Sequence, residues 1–133
     1  MSLVRKTLAV LLTVALLAAC ATAEMVELNP ANFHKIVKDP SKNVFVMFYA
    51  PWCGHCNNMK STWLELADKY PIMEDVVIAR VDASKYRGIS KEFNVHGFPT
   101  LKFFSKKNKS GEIEYEGPRE LSAFVSYVSA NKQ

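Results

Sequence analysis

The chain has 133 residues, 49% of them hydrophobic and 23% charged, the proportions of a folded globular protein and not of a disordered or fibrous one. Its formal charge of +4 includes Arg5 and Lys6 in a leading segment without acids; the remaining 15 basic and 13 acidic residues are too evenly matched for a nucleic-acid-binding face. The length predicts one ordinary domain and argues against a multidomain machine.

Residues 1–6 are short and basic, and residues 8–19 are apolar or small apart from Thr13. Ala21-Thr22-Ala23 then supplies an A-x-A pattern, so residues 1–23 read as a secretory signal peptide cleaved after Ala23. The apolar run is shorter than the roughly 20 residues that cross a bilayer, and Glu24 follows in place of a basic stop-transfer cluster. No stable membrane insertion is expected. A weaker reading takes Leu17-Ala18-Ala19-Cys20 as a bacterial lipoprotein signal with Cys20 lipidated.

In residues 24–133, Asn29-Pro30 reads as an N-cap followed by proline at the first helical position, with Phe33, Ile36 and Val37 as the apolar stripe. Residues 44–50 are continuously apolar, as in a strand buried on both faces. From Cys53 a helical spacing runs through Cys56, Met59, Trp63, Leu66, Ala67 and Tyr70. Residues 76–81 predict a second buried strand, 85–93 a short helix and 94–99 a loop. Leu101 and Phe103, then Ile113 and Tyr115, alternate with other residues on either side of a polar loop at 105–111, which predicts an antiparallel hairpin. Leu121, Phe124, Val125 and Val128 make a terminal amphipathic helix. The resulting order, β-α-β-α-β-α-β-β-α, predicts an α/β sandwich.

Removing residues 1–23 leaves two of the three cysteines, Cys53 and Cys56. A disulfide between them would close a very small loop and constrain the unfolded chain little, so a stabilising role explains them poorly. At the mouth of a helix, Cys53 meets unpartnered backbone N–H groups and the positive end of the helix dipole, which favour its thiolate. Cys56, one turn in, should be shielded and less acidic. Cys53 is therefore the expected attacking sulfur and Cys56 the resolving one, with His55 between them favouring the thiolate further. Half a zinc site is the rival. Structural zinc takes four ligands, and His34 and His96 are not spaced to complete such a set, so no metal is expected.

Residues 48–56, Phe-Tyr-Ala-Pro-Trp-Cys-Gly-His-Cys, resemble the active-site segment of protein disulfide isomerases, within the thioredoxin superfamily. Residues 97–104, Gly-Phe-Pro-Thr-Leu-Lys-Phe-Phe, resemble that family's cis-proline loop and following strand. Tyr115-Glu116-Gly117-Pro118-Arg119 resembles the segment carrying an arginine that swings toward the resolving cysteine. The resemblance implies a thioredoxin fold, a central mixed sheet with helices on both faces, over residues 24–133. It implies Cys53 as nucleophile, Cys56 as resolving thiol, and Trp52, Gly54, His55 and Arg119 as residues that tune the pair. Trp52, Phe98 and a cis Pro99 would contact substrate.

Two positions depart from the family. Met47 stands where a buried acid usually relays protons to the resolving thiol, although the basic residue that pairs with that acid is kept as Arg80. An unpaired buried arginine is costly, so Arg80 should reach solvent or another acid. Ser61 replaces a frequent helix-kinking proline, which should leave that helix straight. Elsewhere, Asn108-Lys109-Ser110 is a glycosylation sequon on the expected hairpin loop. His34 is expected on the surface of the first helix, and His96 near the proline loop, where it could tune substrate binding.

The leading functional expectation is a secretory-pathway thiol–disulfide oxidoreductase or isomerase, resident in the endoplasmic reticulum lumen or secreted. It needs no cofactor beyond its redox-active Cys53–Cys56 disulfide. Its partners would be client proteins with thiols or disulfides, and a thiol oxidase or glutathione. The final residues, Ala130-Asn131-Lys132-Gln133, are not a lumenal retrieval signal, so retention would need a partner. The alternatives are a thioredoxin-like reductase and a redox-independent holdase or adaptor using the surface around Trp52, Phe98 and Pro99.

Overall fold

The computed structural model describes residues 24–71 and 74–133. The signal-peptide reading of residues 1–23, and the lipidated Cys20, therefore lie outside the described residues. Within the described residues, five strands and four helices follow the order expected from periodicity. They are β1 (Val26–Leu28), α1 (Phe33–Val37), β2 (Asn43–Tyr49), α2 (Gly54–Asp68), β3 (Val76–Asp82), α3 (Arg87–Glu92), β4 (Thr100–Ser105), β5 (Asn108–Tyr115) and α4 (Leu121–Asn131).

The sheet order is β1-β3-β2-β4-β5, parallel from β1 to β2 and antiparallel from there outward. The central strand β2 is buried along six of its seven positions, as its unbroken apolar run requires. Its odd and even side chains enter different cores. Val44, Val46 and Phe48 pack with Phe33 and Val37 of α1 and Ile89 of α3. Phe45 and Met47 pack with Met59, Trp63 and Leu66 of α2 and Phe124 and Val128 of α4. Trp63 is fully buried and donates its indole N–H to the Ala79 carbonyl at 2.9 Å, so its one polar atom is satisfied.

Some boundaries differ from the sequence expectation. Regular helix α1 begins at Phe33 and not at Pro30, because Asn29 spends its side chain on the turn ahead of it: Oδ1 accepts from the Ala31 and Asn32 amides. The hairpin loop spans only Lys106 and Lys107, since Asn108 already pairs with Ser105 across a register shift. Asn108 is thus an exposed strand residue and not a loop residue. Ile113, which pairs with the buried Phe103, is 51% exposed on the edge strand β5. Helix α2 runs unbroken through Ser61.

Candidate functional site

Register decides what meets at one end of the sheet. Phe48 of β2 pairs with Thr100 of β4, which brings Pro99 beside the residues that follow β2. Leu101 pairs with Tyr115, so the exit of β5 reaches the same end. Tyr49 pairs with Asp82, and the Ala83 amide donates to the Tyr49 carbonyl, adding the exit of β3.

At that end the chain leaves β2, turns through Ala50 and Pro51, and enters α2. The turn is closed by the Cys53 amide donating to the Ala50 carbonyl at 3.1 Å. Cys53 is the N-cap of α2, with extended backbone, and its Sγ accepts the Cys56 amide at 3.2 Å. The sulfur thus partners one of the amides that the first turn of the helix leaves without an intrahelical acceptor. Cys53 and Cys56 are free, 7% and 3% exposed, and cluster with Ala50 against Tyr49 and Phe98. Burial, and secondarily the contact with Cys53, pushes the Cys56 thiol up to about 11. Cys53 thus sits at the mouth of α2 and Cys56 one turn behind it.

Trp52 is 73% exposed and meets the Phe98 ring edge-on at 5.7 Å. The Phe98–Pro99 peptide bond is cis. Gly54 and His55 are exposed at the first turn of α2, and a Cβ at Gly54 would meet nothing within 4 Å. Arg119 stands exposed beyond β5, lining a cleft with Pro99 and not the sulfurs. Trp52, Phe98 and Pro99 are therefore brought to Cys53, while Arg119 sits one step away. His96 is exposed and lines a groove with Trp52 and Phe98, whereas His34 pairs with Glu92 at 2.9 Å, remote from the cysteines in the fold. Among the described residues no three His, Cys, Asp or Glu side chains come together as metal ligands, and no described helix is long and apolar enough to cross a membrane.

The departure at Met47 has a structural resolution. Met47 is 1% exposed and pairs in register with Arg80, which pairs in turn with Glu27 of β1. Arg80 turns to that edge: its Nε donates to Glu27 at 2.6 Å and its guanidinium lies over the Tyr49 ring at 4.6 Å. Tyr49 donates its hydroxyl to the other Glu27 oxygen at 2.5 Å; burial and that bond push its phenol up to about 12. The sequence reading missed Glu27. Nothing local could reveal it, because the contact depends on the β1–β3 register across 53 residues. Arg87, Glu114 and Glu116 at the same end were missed as well, being indistinguishable in sequence from solvated surface charge.

The sequence profile of the thioredoxin family matches residues 24–130. The probable protein disulfide-isomerase A6 of Medicago sativa is 46% identical over 111 residues, which cover 84% of this chain and 30% of that protein. The solution structure of the first thioredoxin domain of mouse protein disulfide-isomerase A4 superposes with a TM-score of 0.69 at 30% identity, covering 86% of this chain and 82% of that one. A crystal structure of human ERp44 gives 0.72 at 27% identity, covering 84% and 30%. The chain spans about a third of the length of the curated relatives it matches.

Proposed function

The chain belongs to the thioredoxin family, and from that premise we propose that it is a protein thiol–disulfide oxidoreductase and isomerase acting through Cys53 and Cys56. The observation that carries this reading is the pairing of a helix-capping Cys53 Sγ with a shielded Cys56, its thiol pushed up to about 11, directly behind it. In the oxidising direction a client thiolate attacks Cys53 of the Cys53–Cys56 disulfide, and Cys56 leaves as a thiolate that takes up a proton. A second client thiolate then attacks the client sulfur of the mixed disulfide and expels the Cys53 thiolate. Two electrons pass to the pair, and glutathione disulfide or a thiol oxidase removes them. No other cofactor enters. Trp52, Phe98 and Pro99 supply the surface on which the client lies, and His55 stands exposed between the two cysteines.

Residues 1–23 act in this reading as a signal peptide that delivers residues 24–133 to the secretory pathway, where the compartment keeps the pair oxidised. Asn108 is exposed, so its sequon is open to glycosylation there; a mass shift on glycosidase treatment is the expected outcome. The exposed Trp52 against the half-buried Phe98 also fits a redox-independent binding module. Oxidative refolding of a reduced, multi-disulfide client separates the two. The wild-type chain should accelerate it, the Cys56→Ser variant should accumulate a mixed disulfide through Cys53, and the Cys53→Ser, Cys56→Ser double variant should do neither. Full activity in the double variant would establish the binding module in place of the enzyme.

A further inference from the structure

Two clefts flank the Phe98–Pro99 step, and their charges differ in sign. On the Trp52 side a groove of about 260 Å³ has an apolar wall of Trp52, Val95 and Phe98, with Arg87 and His96 along it. No acid lines it. The acid nearest in sequence, Asp82, has its Oδ1 taken up by the Ser84 amide and hydroxyl and the Lys85 amide. On the β5 side a cleft of about 270 Å³ opens along Pro99, Thr100 and Leu101, with Glu114, Glu116 and Arg119 on it. Two carboxylates there outnumber one guanidinium. The Tyr115 hydroxyl donates to the Pro118 carbonyl at 2.5 Å, which ties down the turn between Glu116 and Arg119. Arg87, Glu114 and Glu116 are exposed, so each is free to meet a charge brought in from solution.

We infer that these two clefts select clients by the charges flanking the reacting cysteine, which deepens the oxidoreductase reading above and rests on it. A client segment whose sulfur reaches Cys53 lies across the Phe98–Pro99 step, because Phe98 packs against the cysteine pair and Pro99 follows it in the chain. Its neighbouring side chains then fall on the two sides of Pro99. A carboxylate is favoured in the Arg87–His96 groove, and an ammonium or guanidinium in the Glu114–Glu116 cleft. A cysteine between an acid and a base is therefore preferred in one order over the other. Exposed charge pairs are individually weak and screened by salt, so the combined preference is about fivefold at low ionic strength.

The test oxidises three synthetic dithiol peptides with the oxidised full chain, following Trp52 fluorescence. The reacting cysteine lies between Asp and Lys, between Lys and Asp, or between two serines. Each rate is divided by the same peptide's rate with glutathione disulfide, which cancels differences in peptide thiol acidity. The expected result is that one charged order outruns the other about fivefold, that the gap closes near 0.5 M salt, and that an Arg87→Glu, Glu114→Lys variant inverts it. Equal rates for both orders, or a preference that the double variant leaves unchanged, would overturn the charge reading alone. If no peptide is oxidised, the oxidoreductase reading itself fails.

Discussion

The two ends of the sheet are built on opposite plans. At the far end, Asn43 is fully buried, and its Oδ1 accepts the Lys106 and Gln133 amides, each at 3.1 Å. Its Nδ2 donates to the Gln133 carbonyl at 3.3 Å and the Asp75 carbonyl at 3.5 Å. Lys106 pairs with Asp75, Lys38 donates to the Lys109 carbonyl at 2.7 Å, and Lys109 donates to the Lys42 carbonyl at 2.5 Å. Burial carries the Lys109 amine down to about 8. One buried amide and a set of lysines thus tie the N-termini of β2 and β3 to the hairpin and the final residues. The cysteine end has no such lattice. It exposes Trp52, His55 and Arg119, and its polar ties are short-range ones, such as the Cys53 Sγ accepting the Cys56 amide and the Asp82 Oδ1 accepting from Ser84 and Lys85. One end is tied across strands by side chains, and the other carries the cysteine pair.

The sharpest way to break this contrast is to exchange the consequences of substitution at the two ends. Cys53→Ser should abolish thiol–disulfide exchange while lowering unfolding free energy by less than about 1 kcal/mol. A large stability loss would mean that the cysteine end also holds the fold. The next effect is on pH. With its thiol raised to about 11, Cys56 is almost wholly protonated at neutral pH. The rate at which it releases a mixed disulfide should therefore climb roughly tenfold per pH unit from 7 to about 10. Stopped-flow quench kinetics that level off near 9 would contradict the shielding of Cys56.

Third comes Met47→Glu. Adjacent strands lie about 4.8 Å apart, so the new carboxylate would stand beside Arg80 and within the core that contains Met59. Release of the mixed disulfide should accelerate about tenfold as the acid takes up the Cys56 proton; an unchanged or slower rate would show that Met47 does not limit that step. Fourth, Asn43→Ala takes the acceptor from the Lys106 and Gln133 amides and the donor from the Gln133 carbonyl, while the Asp75 carbonyl keeps the Asn43 backbone amide. It should cost about 2 kcal/mol in denaturant unfolding with the exchange rate unaltered. The smallest effect is expected at Tyr127, whose buried hydroxyl has no partner among the described residues. Tyr127→Phe should change stability by less than about 0.5 kcal/mol or raise it slightly.

Much of this was legible in the sequence, and what escaped did so for physical reasons. The run of apolar residues in β2 and the three-and-four spacing of α2 are local signals, and both elements formed where the spacing placed them. The placement of Cys53 at the mouth of α2 and of Cys56 one turn in is local as well. The start of α1 was misplaced because the Asn29 side chain can cap a turn as readily as a helix. The cis bond before Pro99 came only through resemblance, since a proline in sequence does not declare its isomer. Glu27 and the two charged clefts depend on strand register. That is a property of how the sheet assembles, and no single segment carries it.

The most direct test of the account is the reduction potential of the Cys53–Cys56 pair, measured by equilibrating the protein in glutathione buffers and following Trp52 fluorescence. Disulfide isomerases lie near roughly −180 mV and thioredoxin near roughly −270 mV, a difference of about 4 kcal/mol for two electrons. A helix-capping Cys53 beside His55, with a shielded Cys56, predicts a value close to the first, that of a protein that donates and rearranges disulfides. A value close to the second would make it a reductase and contradict the isomerase reading.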